Sequence, residues 1–396
     1  MMLRTSRILG VSVAVLSLAA CSTQSGGTAA PGATATIATG ASRQAQILRG
    51  REVVVASACG DCHGGMGGNT AAKGWLAGVM NPLQEFPVGP FTTRSSNITP
   101  DDETGIGRYS ERQLFNALRY GLRPGETPDV EITSTTRGQG NFPAVPKYLA
   151  PPMPWTAWRH LPDQDLWAIA AYLKDGVKPV SNKVAASDRP PDAWASEYTL
   201  NKIGPYPAAP HPTANEVVPT ADLARVLRGR QVVIQKDCGG CHGGGPNPQA
   251  KGYLIGMTGP DGETVMGPFK TRVRNLTPDN TTGLGRFTER QIFNALRYGL
   301  RPGETPDVEI TSTTPGQGNF PANPRYLAPP MPWPSWRHTP DADLWAIAAY
   351  LKNGIKPVAN RVADSEGPPD FWASEYTVAK IGPHPPPSFP TENEKR

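Results

Sequence analysis

Cysteine is scarce in this chain, with five in 396 residues: one stands alone at Cys21 and the other four form two equal spacings. A dense disulfide framework is thereby excluded. Long apolar runs are missing as well, and none outside the first 21 residues approaches the 18 needed to span a membrane. Charged residues make up only 18% of the chain, and the formal charge of +5 is dispersed among acids rather than gathered into a stripe. That pattern argues against nucleic acid as a partner. No stretch alternates convincingly between apolar and polar residues, so sheet is not expected. Glycine and proline, by contrast, are abundant at 42 and 44 residues, about twice their usual share. Their excess predicts few helices separated by long loops.

The chain begins with Arg4 and Arg7, then an apolar run of 13 residues from Ile8 to Ala20, and Leu18-Ala-Ala-Cys21 closes it. This reads as residues 1–21 of a signal peptide. Its end resembles the bacterial lipobox, which implies cleavage before Cys21, acylation of that cysteine, and a body held by lipid at a membrane in the periplasm, with the outer membrane preferred to the inner. An ordinary secretory signal is the alternative. Loss of Arg4 and Arg7 lowers the charge to +3. Residues 22–43 are small and polar and read as a flexible tether.

An internal repeat organises the rest. Asn116 to Thr136 recurs unchanged at Asn294 to Thr314, a shift of 178, and the wider stretch Gly107 to Val180 differs from its copy at 12 of 74 positions. Two copies of one domain are expected at 44–207 and 221–385, joined by a Pro-rich linker at 208–220 and followed by a polar tail at 386–396. Ser110-Glu-Arg-Gln113 and Thr288-Glu-Arg-Gln291 are capping boxes. Apolar residues follow at helical spacing, with Gly121 placed for a left-handed cap. A further helix is expected from Asp165 to Lys174 and from Asp343 to Lys352. The predicted fold class is all-α with long loops.

The four remaining cysteines lie in Cys59-Gly-Asp-Cys62-His63 and Cys238-Gly-Gly-Cys241-His242. Cys-x-x-Cys-His is the attachment signature of c-type haem: two thiols one helical turn apart form thioethers, and the adjacent His reaches the iron. A zinc site would have to pool both pairs, a thioredoxin-like dithiol needs no His, and short disulfides leave both His unexplained. Two covalent haems are therefore expected, with His63 and His242 as proximal ligands.

A distal ligand should occur in both copies. Met66 has no partner, Met80 aligns with Thr258, Met257 with Val79 and Met266 with Val88, whereas Met153 and Met331 align within Ala-Pro-Pro-Met-Pro-Trp. His160 and His338, seven residues later, also align and remain a rival pair. Met with His raises a haem potential and bis-His lowers it. Arg94, Asn97 and Arg119, with their twins Arg272, Asn275 and Arg297, are candidate donors to the haem propionates. The duplicated Trp residues are expected to pack, and His211 and His384, which lack aligned partners, to face solvent.

In order along each domain, Cys-x-x-Cys-His, Asn-Ile/Leu-Thr-Pro-Asp, Pro-Met-Pro-Trp and Asp-Leu-Trp-Ala-Ile-Ala-Ala-Tyr-Leu make each unit resemble class I cytochrome c. They are most similar to the haem domains of cytochrome subunits of bacterial membrane-bound dehydrogenases. The resemblance implies tandem class I cytochrome c domains with haem on Cys59, Cys62, Cys238 and Cys241, proximal His63 and His242, and distal Met153 and Met331. Such subunits usually carry three domains, and two are visible here. With all six iron positions filled no substrate reaches the metal. The expected role is then an electron carrier, not an enzyme, taking electrons from a dehydrogenase or quinol-linked donor and passing them to a cytochrome or terminal oxidase. A di-haem peroxidase, a redox or gas sensor and a haem-bearing scaffold are the rivals.

Overall fold

A computed structural model describes residues 40–79, 85–188, 191–368 and 370–396. The signal peptide, Cys21, residues 22–39 of the tether and Met80 lie outside them. Each domain forms where its first and last long helices cross. In the first, α1 (Gly40–Ala56) meets α5 (Asp163–Ala171), which ends in one π-helical turn at Tyr172–Gly176. A Cβ on Gly50 would sit 1.9 Å from the Ala168 carbonyl oxygen, so glycine is what lets the two backbones approach. Arg49 locks the crossing by a forked pair to Asp165, at 2.8 and 2.9 Å.

Between these helices lie α2 (Cys59–His63), a hairpin of β1 (Glu85–Val88) and β2 (Phe91–Arg94), α3 (Glu111–Tyr120) and the short α4 (Trp155–Trp158). A one-turn α6 (Leu200–Ile203) follows α5. The second domain repeats the order as α7 (Leu223–Gln235), α8 (Cys238–His242), β3 (Glu263–Met266), β4 (Phe269–Arg272), α9 (Glu289–Tyr298), α10 (Trp333–Trp336), α11 (Asp341–Asn353) and α12 (Val378–Ile381). Gly229 plays the part of Gly50, 1.8 Å from the Ala346 oxygen, and Arg228 forks onto Asp343.

Both capping boxes form as expected, with Ser110 accepting from the Gln113 amide and Thr288 from the Gln291 amide. The left-handed cap at Gly121 has a second cause: a Cβ there would lie 2.2 Å from the Trp155 ring. The hairpins correct the purely helical expectation. Each strand is only four residues long and borders Gly or Pro, too short for alternation to register, and a two-residue turn with Gly89 or Gly267 at φ 60° makes the pairing. The main cores gather Val54, Trp75, Leu76, Leu166 and Tyr172 in one domain and Val233, Tyr253, Leu254, Leu344 and Tyr350 in the other. The duplicated loop before each Met folds over a smaller aromatic cluster, including Phe142, Tyr148, Trp155 and Trp194 in the first copy.

The connecting segments depart most from expectation. α1 already includes residues 40–43, and Arg43 pairs with Glu111 and Asp175, so the helix takes over the end of the tether. The segment read as a linker is packed: Glu216, 2% exposed, takes Arg230 at 2.6 Å and the Tyr350 hydroxyl at 2.6 Å, both in the second domain. The segment read as a tail does the same to the first domain. Glu394, 1% exposed, takes Arg51 and the Tyr172 hydroxyl at 2.6 Å each. Each domain is thus closed by the segment that follows the other.

Candidate haem sites

Cys59 starts α2 and Cys62 follows one turn later, so both thiols project from one face just ahead of His63. Left-handed Ala58 turns the chain from α1 into this helix, as Asp237 does ahead of Cys238. None of the four cysteines is in a disulfide. Burial pushes the Cys59 and Cys238 thiols up to about 12 and Cys62 up to about 11, the wrong direction for a reactive dithiol or a ready thiolate metal site. Among the described residues no cluster of three or more His, Cys, Asp and Glu could hold a metal ion by itself.

The imidazoles are arranged differently. His63 Nδ1 donates to the Ser96 carbonyl at 2.7 Å and His242 Nδ1 to the Arg274 carbonyl at 2.6 Å. That fixes the ring and leaves Nε2 as the nitrogen for a metal, the usual second-sphere arrangement of a ligating His. Burial lowers the affinity of both rings for a proton, against the pull of the carbonyls, which favours the neutral ligand form. Met153 is half-buried against the cluster that contains Cys59, and Met331 against the one that contains Cys238. A pair of thiols, a neutral imidazole and a thioether are a donor set that fits haem c in each domain.

The rival histidines make contacts of their own. His160 packs near Tyr206, and its backbone carbonyl accepts from Gln235 of the second domain at 2.8 Å. His338 places Nε2 3.1 Å from the Gly67 carbonyl of the first domain. Both belong to the contact between domains. Burial pushes each down to about 3, helped by Arg159 and Arg119 for His160 and by Arg337 and His384 for His338.

The side chains considered for propionates make these contacts within the protein. Arg94 pairs with Glu85 and Asp188 at 2.7 Å each, and Arg272 with Glu263 and Glu366 at 2.8 and 3.0 Å. Arg119 and Arg297, buried on α3 and α9, clamp the chain ahead of α5 and α11 through carbonyls of Arg159 and Leu161, or Arg337 and Thr339, and through Asp163 or Asp341. Asn97 donates to Thr104 and the Val180 carbonyl while accepting from Thr99; Asn275 repeats this with Thr282, Val358 and Thr277. These are staples of the fold. His211 and His384 are half-buried rather than solvent-facing: His384 Nε2 lies 2.9 Å from the Arg337 carbonyl, because it replaces Tyr206 beside the arginine clamp. The tryptophans pack as expected, Trp167 stacking on Phe115 and Trp345 on Phe293 at 4.6 Å.

No motif marks Ser96 and Arg274, whose main-chain carbonyls hold the imidazoles. Glu216 and Glu394 did have a signal, since Thr213-Ala-Asn-Glu216 and Thr391-Glu-Asn-Glu394 stand at the repeat's own shift of 178.

No protein-family model matches the chain. It is 30% identical over 344 residues to the gluconate 2-dehydrogenase cytochrome c subunit of Pantoea cypripedii, covering 83% of this chain and 64% of that protein. To the cytochrome c subunit of alcohol dehydrogenase (quinone) from Gluconacetobacter polyoxogenes it is 29% identical over 79% of this chain and 57% of the relative. A diheme cytochrome c-type protein of Cereibacter sphaeroides is 26% identical over 54% of this chain and 67% of its own length. The chain spans about three-fifths of the length of the two dehydrogenase subunits.

Proposed function

With homology to c-type cytochromes as the premise, we propose that this chain is a di-haem electron-transfer protein of two tandem class I cytochrome c domains. It relays single electrons from a membrane-bound or periplasmic dehydrogenase, or a quinol-linked donor, to a cytochrome or terminal oxidase. The carrying observation is the duplication of one complete donor set: a Cys-x-x-Cys-His helix whose imidazole Nδ1 is tied to a carbonyl, and a Met packed on the same core as the first cysteine. Bound haem c supplies a one-electron iron couple.

The residues supply the rest. Cys59 and Cys62, and Cys238 and Cys241, would tether the group covalently, and His63 and His242 would offer it an imidazole nitrogen. Met153 and Met331 would offer it a thioether, a ligand that would raise the potential and leave no open position for small molecules. Cys59, His63 and Cys238 are buried, which keeps water from that part of the donor set and limits reorganisation when charge changes. Two copies with the same donors suit relay, whereas a di-haem peroxidase needs one open iron. Dehydrogenase names among the relatives support a dehydrogenase as donor. No described helix is long and apolar enough to cross a membrane. The lipobox-like end at Cys21 supports lipid attachment in the periplasm, with the outer membrane preferred.

The test is the reduced absorption spectrum of the mature protein, with and without carbon monoxide, together with haem counted per chain. Two low-spin haems that ignore the gas are expected, and Met153→Ala or Met331→Ala should each open one iron. One gas-binding haem in the wild type, with peroxide turnover, would replace the carrier by a peroxidase.

A further inference from the structure

The second domain carries a cationic pocket whose lining is more positive than the aligned residues of the first. Arg274, Arg286 and Arg361, with Thr281, Thr282, Val362, Ala363 and Asp364, line a cavity of about 250 Å³. Its extra charge comes from three substitutions between the copies, Ser96 to Arg274, Asp102 to Asn280 and Glu103 to Thr281, while Lys183 to Arg361 keeps the charge. Only Ala186 to Asp364 runs the other way. A further change releases a donor: Arg108 and Arg286 each lie over the following ring, but Arg108 also gives an N–H to the Tyr109 hydroxyl at 2.8 Å, and the twin ring, Phe287, has no hydroxyl to take it.

One carboxylate does not neutralise the group. Arg274 pairs with Asp364, whose proton affinity is lowered by that pair and, more weakly, by Arg301 and Arg286. Arg361 makes no hydrogen bond or ion pair among the described residues, and it and Arg286 are exposed. Exposed, spread guanidinium groups suit an acidic protein face better than a small anion, which needs enclosed donors to displace its water. The place is also functional, because the Arg274 carbonyl is the one that holds the His242 ring.

We propose that this arginine pocket is the docking site for a redox partner that presents carboxylates, and that it directs that partner to the second domain. The proposal rests on the carrier reading for its purpose, but the binding it requires is independent of electron flow. A carboxylate docked in this pocket would sit against the residue whose carbonyl holds the His242 ring, which would set the second domain toward that partner. Attraction between the faces steers encounter and weakens with salt.

The experiment measures binding of fluorescent poly-L-glutamate to the haem-loaded protein at about 20 and about 200 mM salt. Arg286→Glu with Arg361→Glu, both exposed positions, should weaken binding about tenfold and flatten its salt dependence, while Lys183→Glu in the first domain should change it less than about twofold. Equal loss in the two variants, or no loss in either, overturns the proposal. Displacement of the probe by millimolar inorganic phosphate at constant ionic strength also overturns it, in favour of a small-anion site. Unchanged haem spectra in the variants separate this result from a failure of the carrier reading.

Discussion

In the first domain the residue before the second haem cysteine is Asp61, which accepts from the Ser335 hydroxyl of the second domain at 2.7 Å. The same position of the second domain is Gly240, and the twin of Ser335 is Ala157, so the reverse contact does not exist. Instead Gln235 and Lys236 reach back across the boundary, to the His160 carbonyl at 2.8 Å and the Ala56 carbonyl at 2.7 Å, where the first domain has Ala56 and Ser57 at the aligned positions. Away from this seam the copies keep the same carbonyl clamps, capping boxes and arginine staples. Two copies of one fold placed against each other cannot both use the same contact when the two surfaces meet unequally. Divergence at the seam has supplied each side with its own half of the polar contacts, while the parts each domain needs for its own donor set have stayed alike.

The sharpest way to break the symmetry is to remove one closing carboxylate at a time. Glu394→Ala leaves Arg51 buried without its partner, a loss of about 3–5 kcal/mol, and should lower the melting transition of the first domain. Glu216→Ala should do the same to the second. Calorimetry of both variants checks this, and lowering of the same transition by both would contradict the exchange of segments.

Acid should open the seam next. His160 and His338 are neutral in the folded protein, with proton affinity pushed down to about 3, but protonate below about 6.5 when exposed. The unfolded chain therefore binds more protons in that interval. Their contribution is complete above pH 6.5 and is lost as pH falls toward 3, so melting temperature should drop by several degrees between pH 7 and 4.5. Replacement of either by Gln should flatten that drop, and an unaltered profile in both variants would show the titration lies elsewhere. The smallest effect belongs to Asp61 and Ser335. Ser335→Ala removes one cross-domain bond and should cost about 1 kcal/mol, read by denaturant unfolding, whereas Ala157→Ser should bring no matching gain because Gly240 offers no acceptor.

Much of this arrangement was legible in the sequence. Periodicity, capping residues and the 178-residue shift located the long helices and the repeated order of elements, and Cys-x-x-Cys-His named the helices that present cysteine and His. The hairpins escaped because strands of four residues joined by a Gly-Pro turn are too short to show alternation. The arginine and asparagine staples were visible as duplicated polar residues, but duplication alone does not distinguish a partner in the protein from one in a cofactor. Arg119 and Arg297 needed the carbonyls of the turn before α5 and α11, which become neighbours only on folding. The closing glutamates were legible as a repeated Thr-x-Asn-Glu, yet nothing local says that each serves the other domain.

Arg51 and Glu394 are separated by 343 residues of chain. If the polypeptide emerges from its N-terminus, the first domain gathers its helices, and its cysteines are within reach of haem-attaching enzymes, while its closing carboxylate is still behind the whole second domain. Assembly is thereby ordered in time: Glu216 can shut the second domain soon after it appears, but the domain made first is the last to be finished.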